Sequence, residues 1–111
     1  MKKYDSGTVI EVIFPFEDTN ESKIRPALVI KDEGDELVVL KITSKHKGRQ
    51  WDIEIPKDDF NGLSMDSVIQ ADRVERLKKS KLVDIIPRGT VNAIQLMIVK
   101  ERMKVYLRTQ R

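Results

Sequence analysis

Arg25 and the neighbouring hydroxyls of Thr43 and Ser44 are the residues of this chain best suited to chemistry on a phosphate. A guanidinium offers forked donors that match a pair of phosphate oxygens, and Thr adds a short-reach hydroxyl. Both positions lie where an apolar run meets a polar loop. Residues 15–24 form one loop and residues 44–50 the other, and a hairpin of the intervening runs brings their strand ends together. The alternatives are an ordinary strand-edge Arg and a hydroxyl turn cap. The second loop also carries Lys45, His46, Lys47 and Arg49, and Trp51 follows it directly. Basic side chains of this kind track phosphates, and an exposed indole is a stacking platform for an unpaired base. Trp51 reads equally as an aromatic that closes the core. His46 titrates near neutral pH and can act as a base or contact a phosphate.

Composition narrows the field. The chain has 111 residues, 40% apolar and 35% charged, with net charge +3, no Cys and one His. That length supports a single domain over residues 1–111, with enough apolar content for a small core. The lack of Cys excludes a disulfide scaffold, a thiolate zinc site and a Cys nucleophile. A single His leaves no His-rich metal site, so neither metal nor cofactor is expected. The longest uncharged apolar run, residues 93–99, is far short of the roughly 20 residues that span a bilayer. The N-terminus does not read as a signal peptide, so a cytoplasmic protein with no membrane partner is expected. Basic residues crowd positions 41–49 and 73–81, where Arg73, Arg76, Lys78, Lys79 and Lys81 lie. Acidic ones crowd 17–21 and 32–36. Such segregation reads either as a polyanion site or as a solvated mixed-charge surface.

The elements that must position these residues are mostly strands. Residues 8–14 are β-branched and aromatic. Residues 27–30 and 37–43 flank the turn signal Asp32-Glu33-Gly34-Asp35 and predict a hairpin of two central strands, since both runs are nearly all apolar. Residues 51–55 alternate, so one face of that strand is wet. Residues 67–71 and 73–77 predict two short strands or one bent one, and 82–86 a last short strand. From Thr90, read as an N-cap, apolar residues recur at helical spacing to about residue 108. They cover more than one face of that helix, which points to a protein–protein interface. The expectation is a strand-rich barrel or rolled sheet closed by one C-terminal helix.

In their order along the chain, residues 7–12 (Gly-Thr-Val-Ile-Glu-Val), 23–30 (Lys-Ile-Arg-Pro-Ala-Leu-Val-Ile), 41–45 (Lys-Ile-Thr-Ser-Lys) and 62–74 resemble the MazF/PemK family of toxin endoribonucleases. The segment around Lys79-Ser80-Lys81-Leu82 is similar to the stretch that follows in that family. The resemblance runs from about residue 7 to residue 107. It implies a mostly β (α+β) fold, a small SH3-like β-barrel with a C-terminal α-helix. It also implies a homodimer that cuts single-stranded mRNA without a metal and is neutralised by a cognate antitoxin. Arg25 and Thr43 match the family's catalytic Arg and Thr. Asp72 falls where some members hold a catalytic Asp, and Gln70 where those members have a second Arg. Glu21 sits in the loop where some members carry an acidic residue that affects activity.

Metal-free RNA cleavage uses the substrate's own 2′-hydroxyl as nucleophile and leaves a 2′,3′-cyclic phosphate. Arg25 suits charge stabilisation at the phosphate oxygens, and its pKa, above about 12, makes it a poor proton donor. Thr43 and Ser44 suit contacts to non-bridging oxygens, with His46, Glu21 and Asp72 as candidate bases. Lys45, Lys47, Arg49, Arg73 and Lys78 would track phosphates. Two other readings keep the same fold: a catalytically silent nucleic-acid-binding barrel and a protein-interaction module.

Overall fold

In the computed structural model, residues 2–14, 23–45 and 48–110 are described. The apolar runs become six strands: β1 (Thr8–Phe14), β2 (Lys23–Asp32), β3 (Glu36–Thr43), β4 (Asp52–Ile55), β5 (Ser67–Lys78) and β6 (Asp84–Thr90). One helix, α1 (Ala93–Thr109), follows. The strands make one antiparallel sheet in the order β4-β5-β3-β2-β1-β6. The two nearly all apolar runs are interior strands of the sheet, in line with their burial on both faces. The 67–71 and 73–77 segments are one strand, β5, with a register shift where Leu40 faces Val74 and Lys41 faces Gln70.

Among the described residues the sheet does not close into a barrel. β4 and β6 are its edges. β4 has only four residues and β6 contains Pro87, so neither offers a long ladder to the other. The segment after β4 instead returns over β6 through a single bond, from Thr90 N–H to Phe60 O at 2.8 Å.

Alternation divides the core in two. One face carries Val9, Leu28, Leu40, Ile42 and Ile69 and is covered by α1 through Leu96, Val99 and Met103. The other carries Ile10, Val12, Ala27, Val29, Leu37 and Val39, packed by Tyr4, Leu82 and Ile85. The helix starts later than its sequence signal. Thr90 ends β6, and Asn92 is the N-cap: its side chain accepts from Gln95 N–H while Gln95 reaches back to the Asn92 backbone N–H. That reciprocal box satisfies two orphan donors, which a lone Thr cannot do. Val99 is the only buried residue of α1, and Ile94, Met97, Ile98, Val105 and Leu107 stay exposed.

A buried ion pair ties the sheet's far end together. Lys79 Nζ lies 2.9 Å from both oxygens of Asp32, and the two side chains are 7% and 5% exposed. Asp32 also accepts from the backbone N–H of Tyr4 and of Gly34. Burial alone would raise its pKa. The Lys79 hydrogen bond, the two backbone donors and the Lys79 charge outweigh it and hold the carboxyl down at about 2. Nearby, Arg76 pairs with Glu33. The acidic turn and part of the 73–81 basic run therefore neutralise each other. The segregation of charge seen in the sequence is a salt-bridged surface at this end of the sheet.

Two predictions follow from this framework. The Asp32 contribution is full above about pH 4 and lost as pH falls through about 2. Asp32→Asn should cost about 3–5 kcal/mol at neutral pH, by stranding Lys79. Urea unfolding at several pH values should show the gap to wild type narrowing between pH 4 and pH 2, and a gap that stays constant contradicts the assignment. Separately, a Cβ at Gly89 would stand 2.1 Å from Phe60 O and 2.6 Å from Asn61 C. Gly89→Ala should therefore push the 56–66 segment off β6 and lower the melting temperature, whereas an unchanged melting curve would rule out that close approach.

Candidate functional site

Arg25 and Thr43 lie on neighbouring strands and on the same sheet face. The β2–β3 register runs from Asp32↔Leu37 to Ala27↔Lys41. Continued by two residues, it sets Arg25 across from Thr43. Arg25 is in register with Val12 of β1, and Thr43 with Val68 of β5. The β2–β3 ladder ends one residue short of Pro26, whose nitrogen has no hydrogen to donate. The guanidinium and the hydroxyl thus stand just past the end of the β2–β3 ladder, each still paired on its other side, on the face opposite α1.

Both side chains are half-buried and have donors to spare. Thr43 Oγ1 accepts from Lys45 N–H at 3.2 Å, which fixes the oxygen and leaves its proton free to point outward. Arg25 enters no ion pair among the described residues. Ser44 and Lys45 are exposed beside them. The same face continues across the sheet through Lys41 and Gln70, which share a register, and through Glu54, which faces Val68. Lys41 belongs to the basic run of residues 41–49, and Glu54 was not singled out in the sequence. The alternation of residues 51–55 is the signal that marks Glu54 as belonging to the wet face.

Other candidates lie elsewhere. Gln70 is buried, two residues along β5 from the level of Thr43. Asp72 is a further two residues along, inside the register shift where β5 bulges between Gln70 and Val74. It is ion-paired with Arg49, which also lies 3.7 Å from Asp52 and donates its backbone N–H to Asp52 at 3.1 Å. Arg49 is thus engaged by two carboxylates, and one oxygen of each, Asp52 Oδ1 and Asp72 Oδ1, is buried without a hydrogen bond. Arg73 is exposed on the irregular part of β5. Lys78 faces Glu36, at the opposite end of β3 from Thr43, about 23 Å away at about 3.3 Å per residue. Trp51 turns to the helix side and stacks edge-on against Tyr106, with ring centroids 5.3 Å apart. Glu21, His46 and Lys47 lie outside the described residues. No group of three or more His, Cys, Asp or Glu among the described residues is arranged to hold a metal ion.

Residues 5–107 match the family model described as PemK-like, MazF-like toxin of type II toxin–antitoxin system, and the chain belongs to that family. Solved structures share the fold. A MazE–MazF complex from Deinococcus radiodurans aligns with a TM-score of 0.76 at 21% identity, over 94% of this chain and 95% of that one. A MazF toxin of Mycobacterium tuberculosis aligns at 0.66 and 23% identity, over 90% and 96%. A mycobacterial endoribonuclease in complex with its cognate antitoxin aligns at 0.65 and 18% identity, over 91% of each chain. No curated protein matches the chain in sequence.

The Arg49 cluster yields a prediction about stability. Arg49→Met leaves two largely buried carboxylates facing each other and should cost about 1–3 kcal/mol. Asp72→Asn in the same chain should return part of that loss, because it removes the repulsion. Thermal melts of the two single variants and the double variant check this, and strictly additive losses would show that the cluster is not coupled.

Proposed function

We propose that the protein is a toxin endoribonuclease that cuts single-stranded mRNA at particular sequences without a metal. It acts as a homodimer in the cytoplasm and is held inactive by a cognate antitoxin. The observation that carries the reading is the pairing of Arg25 and Thr43 at one open strand end, with unspent donors, in a chain of this toxin family. The antitoxin complexes of similar fold support the partner. The exposed Ile94, Met97, Ile98, Val105 and Leu107 of α1 support an apolar contact between protomers.

In this reading the substrate's 2′-hydroxyl attacks the adjacent phosphorus. The 2′-oxygen–phosphorus bond forms, the bond from phosphorus to the 5′-oxygen breaks, and the products are a cyclic phosphate and a free 5′-hydroxyl. Arg25 neutralises charge on the equatorial oxygens, and Thr43 donates a hydrogen bond to one of them; the 2′-hydroxyl proton passes to solvent, and the leaving 5′-oxygen takes one up from it. Ser44 and Lys45 hold the flanking backbone. Asp72, held by Arg49, supports the framework from the irregular part of β5. Glu54 is a carboxylate on the Arg25–Thr43 face, two strands from Thr43.

Mixed-sequence RNA incubated in EDTA tests the proposal. Wild type should leave 2′,3′-cyclic phosphate ends. Arg25→Ala should still bind with a steep salt dependence and lose about 10²–10³ in rate. Intact RNA with wild-type protein, alongside tight salt-sensitive binding, would favour a silent nucleic-acid-binding protein and reject the nuclease.

A further inference from the structure

The reverse face of the same strand end holds a cavity that the cleavage chemistry does not use. Its volume is about 210 Å³, and Glu11, Pro26, Ser44, Ser64 and Arg88 are among its lining. At about 30 Å³ per water it would hold about seven waters, which is the scale of one nucleobase and too small for a folded peptide. Its outer wall is the 62–65 segment, and that wall is built firmly. Asn61 is fully buried and satisfied: Oδ1 accepts from Asp58 and Leu63 N–H, and Nδ2 donates to Pro56 O at 2.9 Å. Gly62 packs so close to β6 that a Cβ would stand 2.3 Å from Arg88 O.

The cavity carries a donor–acceptor pair at its rim. Arg88 Nε donates to Glu11 Oε1 at 2.6 Å, with side chains 44% and 29% exposed. An exposed pair of this kind contributes little to stability, so a ligand can insert between its members at low cost. The terminal nitrogens of Arg88 make no contact with another described residue, and neither does the Ser44 or the Ser64 hydroxyl. The site therefore presents a carboxylate acceptor, a guanidinium donor and two free hydroxyls around a slot floored by Pro26.

Ser44 links this slot to the candidate cleavage site. Thr43 faces the Arg25 side of the sheet, and its neighbour Ser44 lines the reverse side. Thr43 and Ser44 are chain neighbours with Cα atoms about 3.8 Å apart, so the two sites flank one strand end, a span that one or two nucleotides of extended chain can cover.

We propose that this cavity is a base-reading pocket for an unpaired guanine within two nucleotides of the linkage held at Arg25 and Thr43. The proposal rests on the nuclease reading for its setting and deepens it by naming what the protein reads. Guanine is the base whose Watson–Crick edge places two N–H donors beside one carbonyl. The Glu11 carboxylate accepts from N1–H and N2–H, and Arg88 donates to O6. Adenine presents an unprotonated N1 to the carboxylate and is repelled. Cytosine and uracil offer Glu11 one donor position in place of two.

Fluorescence anisotropy with uncleavable 2′-deoxyuridine heptamers tests the proposal. The central base is U, G, A or C, and cleavage of the matching RNA heptamers is assayed in parallel. Wild type should bind the G heptamer at least tenfold more tightly than the A heptamer. Glu11→Ala and Arg88→Ala should reduce that ratio to under twofold, each variant's affinities being read relative to its own affinity for the all-U heptamer. Glu11→Gln, which keeps the shape of the side chain, guards against a folding defect and should lose the preference in the same way. Equal wild-type affinity for G and A overturns the pocket, as does a preference that survives both substitutions. Cleavage with no guanine preference overturns the pocket and leaves the nuclease standing. Guanine-dependent binding without cleavage supports the pocket and rejects the nuclease. Absence of binding to every heptamer overturns both.

Discussion

The Asp32–Lys79 pair governs more of this protein than its size suggests. It joins three chain segments that are far apart in sequence: the N-terminal stretch through Tyr4, the β2–β3 turn through Gly34, and the end of β5. Anchoring that turn fixes the pairing of β2 with β3 and of β3 with β5. Register is unforgiving in a sheet buried on both faces, because a slip of one residue sends every side chain to the other side. The Arg25–Thr43 adjacency lies at the other end of the same hairpin and depends on that register being kept.

The two ends of the sheet are thereby divided in character. At the turn end, opposite charges are matched and partly buried, which suits stability and offers little to a polyanion. At the open end, the β2–β3 ladder stops beside Pro26 and leaves polar side chains with unspent donors. Backbone termination and site formation have one cause here: a residue that cannot donate to a neighbouring strand. The two faces at this end then diverge, with Arg25 and Thr43 on one side and the Glu11–Arg88 slot on the other. A strand end that presents functional groups on both faces can grip a flexible chain that bends around it.

Charge alone proved a poor guide to placement. The run from Arg73 to Lys81 reads as a basic stretch, yet Arg76 and Lys79 are bound to the acidic turn, and Lys78 sits at the wrong end of β3 to join Thr43. Arg49 reads as a phosphate contact and is engaged by Asp52 and Asp72. Trp51 follows the basic loop directly but faces the helix, because alternation along β4 puts it on the same side as Ile53 and Ile55. In each case the sequence neighbour of a residue was a weaker predictor of its company than the strand across from it.

By itself the sequence determined the strand content, the central place of β2 and β3, the terminal helix, and the order of motifs that marks the toxin family. Those properties are local: they follow from side-chain period, turn chemistry and propensity within about ten residues. Tertiary structure decided where the helix begins, because Asn92 and Gln95 cap each other only once β6 has run through Thr90. It also decided that the sheet stays open and that Asp72 belongs to an ion-pair cluster. Glu11 and Arg88, 77 positions apart in the chain, meet only because β1 and β6 pair. No pattern in one stretch of chain records such a meeting, since it depends on which strands lie side by side and in what register.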